Sequence, residues 1–351
     1  MTLWRKTPII ARQFANSKES CMNKADKKRI LREMLFARRF EERCYEAYVE
    51  RKIGGFLHLY SGEEACAYGV LEAAKPGHDY VITSYRDHVH AIKCGVSPKK
   101  VMAELYAKET GVCKGLGGSM HVFGVENRFM GGYALVGGPF PLAAGIAKGI
   151  KMKGGDEISI CFLGDAANNQ GTFHESLNMA KVWDLPVLYV CENNLYGIGT
   201  RIDRSTAVID QYKRVSGYDI PSVQVDGQDI EVVYAAAKKA VEHVRSGKGP
   251  YFLELMTYRY RGHSMSDSNA YRTKDEERIW SNRDPIIILR DRLIEAGDIT
   301  LDDYKNMDTE ILTEIEDEVI KYAEESPEPS KEYFDKYVLA ENDPWVNGGP
   351  K

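Results

Sequence analysis

The sequence predicts an α/β protein, a mostly parallel sheet with helices on both faces and helical extensions at both ends. Three observations carry that expectation. The first is a strand, helix, strand succession. Glu157-Ile-Ser-Ile-Cys-Phe-Leu163 is a short apolar run that stops at Gly164-Asp165, and residues 172–183 place Phe173, Leu177, Ala180 and Trp183 at three- and four-residue spacing. Asp184-Leu185-Pro186 breaks the helical pattern, and Val187-Leu-Tyr-Val-Cys191 is a second apolar run, closed by Glu192-Asn193-Asn194. Two strands and a crossover helix in about thirty residues make a right-handed βαβ unit with parallel strands. The second observation is three more strand runs, at residues 80–83, 223–226 and 250–256, set between helical patterns. The third is composition: 351 residues, 43% hydrophobic and 28% charged, enough chain for one large α/β domain or two medium ones.

Taken in order, residues 1–25 read as a flexible extension. Arg5, Lys6 and Arg12 precede the first acid, Glu19, as in a mitochondrial presequence or a disordered basic tail. A charged helix over residues 26–51 carries a stripe of Ile30, Leu31, Met34, Leu35, Phe40, Tyr45 and Tyr48, and stops at Gly54-Gly55. An aromatic loop, Phe56-Leu-His58-Leu-Tyr60-Ser-Gly-Glu-Glu-Ala65, then enters a small-residue helix; His58 is either a site residue or a packing residue. Ser84-Tyr85-Arg86-Asp87-His88 follows the strand at 80–83. Arg86 suits a bidentate phosphate grip, or an ion pair with Asp87. The loop at residues 110–121 is the most glycine-dense, but it fails as a dinucleotide fingerprint: Met120 takes the third glycine position and no strand precedes it. The helix over 142–149 is rich in alanine and glycine, which lets another helix approach closely. After the strand at 250–256 comes a polar loop, residues 257–267, with Arg259, Arg261, His263 and three serine or threonine hydroxyls, suited to anion binding and mobility. Asp284-Pro285 opens another helix, residues 301–325 are acidic and helical, and Pro327-Glu-Pro329 marks a stop. The α/β domain is thus expected over 26–300, with a C-terminal helical extension and tail over 301–351.

A net charge of −5 gives no reason to expect a nucleic-acid or membrane partner, and no apolar run reaches the roughly eighteen residues of a spanning helix. The seven cysteines are odd in number and form no C-x-x-C pair; Cys161 and Cys191 sit inside apolar strands, so reduced thiols are expected rather than disulfides or a zinc site.

Asp165 and Asn194 both fall just past the carboxyl ends of neighbouring parallel strands, the edge where open α/β sheets bind ligands. A carboxylate and an amide oxygen are hard ligands suited to Mg²⁺, which shares its octahedron with phosphates and water. A helix opening after Asp165 would favour a phosphate at its N-terminus. The competing reading makes Asp165 an N-cap and Asn193-Asn194 an ordinary turn.

Gly164-Asp165-Ala166 with the distant Asn193-Asn194 resembles the thiamine diphosphate signature. The surrounding segments, over roughly residues 28–300, resemble the alpha subunit of the pyruvate dehydrogenase decarboxylating component, a thiamine diphosphate-dependent 2-oxo acid dehydrogenase family. The segments are His58-Leu-Tyr60, Tyr85-Arg86, Gly117-Gly-Ser-Met-His121 and Tyr258-Arg-Tyr-Arg-Gly-His-Ser-Met-Ser-Asp267. The resemblance implies the thiamine diphosphate-binding fold and oxidative decarboxylation of pyruvate, with acetyl transfer to the lipoyl domain of a dihydrolipoyl acetyltransferase. It implies Mg²⁺ on Asp165, Asn194 and the Tyr196 backbone oxygen, and cofactor contacts from His58, Tyr85, Arg86, Ala134, Val136, Gly164, Asp165, Ala166, Ala167, Asn194, Tyr196 and His263. His58 and His263 are the implied catalytic residues, handling protons with pKa values near neutrality. Ser264 matches the phosphoacceptor of mitochondrial members. At about 150 residues per domain the chain lacks the second, homologous domain this cofactor needs, which implies a beta subunit in an α₂β₂ assembly. The compartment is cytoplasmic if bacterial, or the mitochondrial matrix. Four positions depart from the pattern: Ala166 for the second glycine of the signature, Val89, Leu116, and Pro139-Phe140. Branched-chain 2-oxo acid or acetoin dehydrogenase alpha subunits, and a non-catalytic assembly paralogue, are the alternatives.

Overall fold

The computed structural model describes residues 22–338, so the presequence-like stretch and the end of the tail lie outside the described residues. Asn23 caps α1 (Lys24–Val49) by accepting from the Asp26 amide. Then come α2 (Glu64–Ala73), β1 (Tyr80–Ser84), α3 (His88–Lys93), α4 (Pro98–Leu105), β2 (Phe129–Tyr133) and α5 (Pro139–Lys153). The predicted βαβ unit is β3 (Ser159–Gly164), a 3₁₀ turn (Asp165–Asn169), α6 (Gly171–Val182) and β4 (Val187–Asn193). A two-residue hairpin, β5 (Tyr196–Gly197) with β6 (Thr200–Arg201), precedes α7 (Gln211–Arg214), β7 (Ser222–Asp226), α8 (Ile230–Arg245) and β8 (Tyr251–Met256). The chain closes with α9 (Lys274–Ser281), α10 (Pro285–Glu295), α11 (Leu301–Glu314), a π-helical turn (Ile315–Ile320), α12 (Lys321–Glu325) and α13 (Lys331–Val338).

The main sheet has the order β2-β1-β3-β4-β8-β7, and every pairing in it is parallel. Along β3 and β4 the side chains alternate between two cores. Ile160, Phe162, Leu188 and Val190 join α1, α2 and α8, while Cys161, Leu163, Tyr189 and Cys191 join α5 and α6. This is the α/β arrangement of the thiamine diphosphate-binding type, with helices on both faces. Gly69 lets α2 and α8 approach: a Cβ there would lie 2.6 Å from Val233 Cγ1. Ile311, Ile315, Val319 and Ala323 from the C-terminal helices complete the core around α1, and Asp308 accepts both Arg39 Nε and Nη2 at 2.7 Å.

Two expectations shift. The strand β2 was not foreseen, because Phe-Met-Gly-Gly-Tyr carries no β-branched residue. A helix does not open directly at Asp165; the 3₁₀ turn intervenes and α6 begins at Gly171. The described cysteines, 44, 66, 94, 113, 161 and 191, are all free thiols. Among the described residues no helix is long and apolar enough to cross a membrane.

Candidate active site

The strand order reverses between β1, whose connection runs to β2 on one side, and β3, whose connection runs to β4 on the other. The crevice outside the carboxyl ends at such a reversal is the natural ligand site of an open α/β sheet. Here β1 delivers Tyr85 and Arg86, β3 delivers Asp165, β4 delivers Asn194, and β8 delivers Arg259. All the residues named above as expected cofactor contacts, from His58 to His263, line one cleft there of about 850 Å³, and so does Ser264.

Asp165 is 2% exposed, caps no helix, and its Oδ2 has no hydrogen-bond partner. Burial pushes its carboxyl up to about 7, partly opposed by main-chain N–H groups of Asp165 and Asn194. The two asparagines divide their work. Asn193 turns inward, donating to Glu254 Oε1 at 2.6 Å and accepting the Leu195 amide at 3.1 Å. Asn194 faces the cleft, donating through Nδ2 to Glu63 Oε1 at 3.1 Å. The turn reading fits both asparagines in part, since each accepts the amide two residues on, Asn194 at a longer 3.4 Å; it does not account for the cleft-facing placement of Asn194, and the N-cap reading does not account for Asp165.

Ala166 is absent from the described non-glycine residues with positive φ, so an alanine is free of strain there. Space for its methyl comes from Gly197, whose own Cβ would stand 2.6 Å from Ala166 Cβ. The other departures are equally mild. Val89 is buried in α3, Leu116 is a rim residue 39% exposed, and Pro139 takes the first turn of α5, where its missing N–H costs nothing. Phe140 packs against Phe173 and Tyr189.

Across the cleft, His58, Tyr85 and His263 form a ring cluster, with His58–Tyr85 centroids 4.6 Å apart and His58–His263 centroids 5.2 Å apart. The expected near-neutral histidines need correction. Burial, then the Arg86 cation, hold His58 down at about 2 and His263 at about 3. Both are neutral imidazoles in the free chain, each with one N–H to donate and one bare nitrogen to accept, and burial disfavours the second proton that would make them cations. His58 Nδ1 is buried without a partner.

Arg86 does not pair with Asp87. It donates to the carbonyls of Leu59 (2.6 Å) and His263 (2.9 Å), while Asp87 accepts the Val122 amide at 3.1 Å. Arg259, 1% exposed, likewise donates only to the Arg261 and Ile198 carbonyls and the Tyr271 hydroxyl. Arg259 thus borders the cleft with its hydrogen bonds going to neutral oxygens, and Arg86 does so with the Glu63 carboxylate 3.8 Å from its Nε, a pair of guanidinium groups against one acid that leaves positive charge for an anion. Sequence reasoning passed over Arg259 and Glu63 as individual site residues. Arg259 carried the same signal as Asp165, a polar side chain just past a strand end.

The glycine loop is not a phosphate cradle, because its N–H groups are already taken. The buried Glu104 carboxylate on α4 accepts the amides of Cys113 and Gly115 on Oε2, at 2.8 and 2.9 Å, and of Gly117 and Gly118 on Oε1, at 2.8 and 3.1 Å. The loop's far end is tied by Ser119, whose hydroxyl lies 2.9 Å from His88 Nε2, while His88 Nδ1 reaches Glu41 at 3.1 Å. This frame holds the loop as one wall of the cleft, with Met120 lining it.

An all-parallel α/β sheet with a cleft at its reversal point, lined by a buried acid with one free oxygen, an asparagine amide and two buried arginines, defines a protein built to hold an anionic cofactor at its strand ends. The chain matches the family described as Dehydrogenase E1 component over residues 32–332, and it belongs to that family. Membership implies thiamine diphosphate as the cofactor. Among curated relatives it is 46% identical over 319 residues, 91% of both chains, to the pyruvate dehydrogenase E1 component subunit alpha of Rhizobium meliloti. The protein of that name from Rickettsia felis is 45% identical over 300 residues, 86% of this chain and 91% of the relative. A testis-specific, mitochondrial form from Homo sapiens is 43% identical over 335 residues, 93% of this chain and 85% of the relative.

Proposed function

We propose that this chain is the alpha subunit of a pyruvate dehydrogenase (acetyl-transferring), catalysing oxidative decarboxylation of pyruvate and passing the acetyl group to the lipoyl group of the acetyltransferase component. The observation that carries the reading is the buried, partnerless Asp165 oxygen facing the same cleft as Asn194 and two buried arginines. A buried acid left like this costs stability unless something occupies it, and a divalent cation bridging a diphosphate is the occupant this donor set fits.

In this reading Asp165, Asn194 and the Tyr196 carbonyl hold Mg²⁺, and Arg86 and Arg259 offset the remaining phosphate charge. When bound, thiamine diphosphate supplies the electron sink that decarboxylation of a 2-oxo acid requires and no side chain offers. His58 and His263, neutral and packed against the Tyr85 ring, act as hydrogen-bonding groups to the substrate's carboxylate and oxo oxygens. Negative charge entering beside them favours their protonated forms, so a proton-handling role arises only in the loaded site. Gly164, Ala166 and Ala167 line the diphosphate end of the cleft, and Ala134 and Val136 line its opposite wall. Ser264 is the proposed phosphoacceptor; a phosphate there would set about two negative charges beside the diphosphate and switch the site off.

The missing half of the site comes from a beta subunit in an α₂β₂ assembly. The outer face of α5 supports this, since Leu142 and Met152 are exposed there and a Cβ on Gly145 or Gly149 would meet nothing within 4 Å. The bacterial relatives favour a cytoplasmic location over the mitochondrial matrix. The test is a dye-reduction assay on the chain reconstituted with its beta subunit, across pyruvate, 2-oxoisovalerate and acetoin. Pyruvate is expected to give the highest kcat/KM; preference for either of the others, or no turnover with any, overturns the reading.

A further inference from the structure

We infer that Glu63 is a positioning residue that sets the cation-facing orientation of the Asn194 amide before any cation arrives. The inference rests on the proposed cation site and adds a residue to it. Glu63 is 1% exposed, stands at the entry to α2 and lines the cleft. One of its oxygens, Oε1, accepts from Asn194 Nδ2 at 3.1 Å. The other, Oε2, has no hydrogen bond and lies 3.8 Å from Arg86 Nε.

An asparagine amide has two orientations, and its neighbours decide between them. As placed, Nδ2 meets a carboxylate, which can only accept, and Oδ1 lies 3.4 Å from the Tyr196 amide, which can only donate. The flipped amide would set oxygen against oxygen at Glu63 and N–H against N–H at Tyr196. Both conflicts act in the same direction, so the amide nitrogen is committed to Glu63 and the amide oxygen to the main chain of Tyr196, whose carbonyl is the third proposed cation ligand. Glu63 also lies beside Arg86, whose two Nη groups hold the Leu59 and His263 carbonyls. A single buried carboxylate therefore joins the cation-side amide to the arginine that fastens both the His58 and the His263 segments. Outer partners of this kind change metal affinity by about 10–100-fold when removed.

The test uses the chain assembled with its beta subunit and stripped of cofactor, titrated with Mn²⁺ at saturating thiamine diphosphate, with free Mn²⁺ read by electron paramagnetic resonance. Glu63→Ala is expected to weaken Mn²⁺ binding about 10–100-fold, and Glu63→Gln, whose amide oxygen can still accept from Asn194, to stay within about threefold of the unaltered protein. The melting temperatures of the two cofactor-free variants should match, whereas a purely structural role would lower both without rescue by glutamine. Should Glu63→Ala fail to assemble, Glu63→Asp, which keeps the charge but withdraws the oxygen, is expected to show the same loss of affinity. Asp165→Ala is the control arm. If it binds Mn²⁺ normally, the cation site itself is wrong; if it loses binding while Glu63→Ala keeps it, only the role of Glu63 is overturned.

Discussion

Asp165 carries the chemistry of the site in its protonation. Its folded value of about 7 lies above the ordinary carboxylate value of 3.8, because burial disfavours the charge. The native state therefore holds a proton that the unfolded chain has lost between these two values, so this group's contribution to the stability of the metal-free chain falls as pH rises through that window. A cation must displace the same proton. Mg²⁺ affinity is expected to fall about tenfold per pH unit below 7 and to level off above it, with proton release on binding visible by calorimetry in buffers of different ionisation enthalpy. A flat affinity between pH 5.5 and 8 would show that Asp165 is not the displaced acid. Ala166 and Gly197 make a second test at this scale. Ala166→Gly should leave cofactor affinity nearly unchanged, whereas Gly197→Ala, forcing two methyl groups to within 2.6 Å, should weaken it by about tenfold or more. Equal effects would mean that the pair is not what shapes this wall. The positions of Asp165 and Asn194 were legible in the sequence because both follow apolar strand runs directly. The low values of His58 and His263 were not, since they come from burial and from Arg86, which only the folded chain brings to them.

At the scale of elements, β3, α6 and β4 could be read from periodicity almost to the residue, and β2 could not, being glycine-rich and short. The glycine loop shows a different limit. Its sequence fails as a dinucleotide fingerprint, but nothing local reveals what it does instead, which is to give four of its amides to Glu104 on the preceding helix. Removing that carboxylate leaves four partly buried donors to be satisfied by water. Glu104→Ala is expected to cost about 3 kcal/mol or more and to speed hydrogen exchange at the amides of Cys113, Gly115, Gly117 and Gly118. Unchanged exchange at these amides would mean that the loop is held by something other than Glu104.

For the whole molecule, the six-stranded sheet is covered on both faces, yet α5 keeps an open, small-residue face with Leu142 and Met152 exposed. Gly149→Arg should leave the melting temperature of the isolated chain unchanged or raise it by a few degrees, since among the described residues a Cβ there meets nothing beyond its own helix within 4 Å and arginine is the better helix former, but block assembly with the beta subunit in sedimentation velocity. Normal assembly of this variant would place the interface elsewhere. That a partner is expected follows from the resemblance; which face it uses depends on what the other described helices leave uncovered.

The most direct measurement is a crystal of the assembled complex grown with thiamine diphosphate and Mn²⁺, with anomalous difference density collected at the manganese edge. The account predicts one strong peak per chain at the ends of β3 and β4, about 2.1–2.2 Å from an Asp165 oxygen, Asn194 Oδ1 and the Tyr196 carbonyl oxygen. A peak away from these three atoms, or a bound diphosphate with no peak beside Asp165, would contradict it.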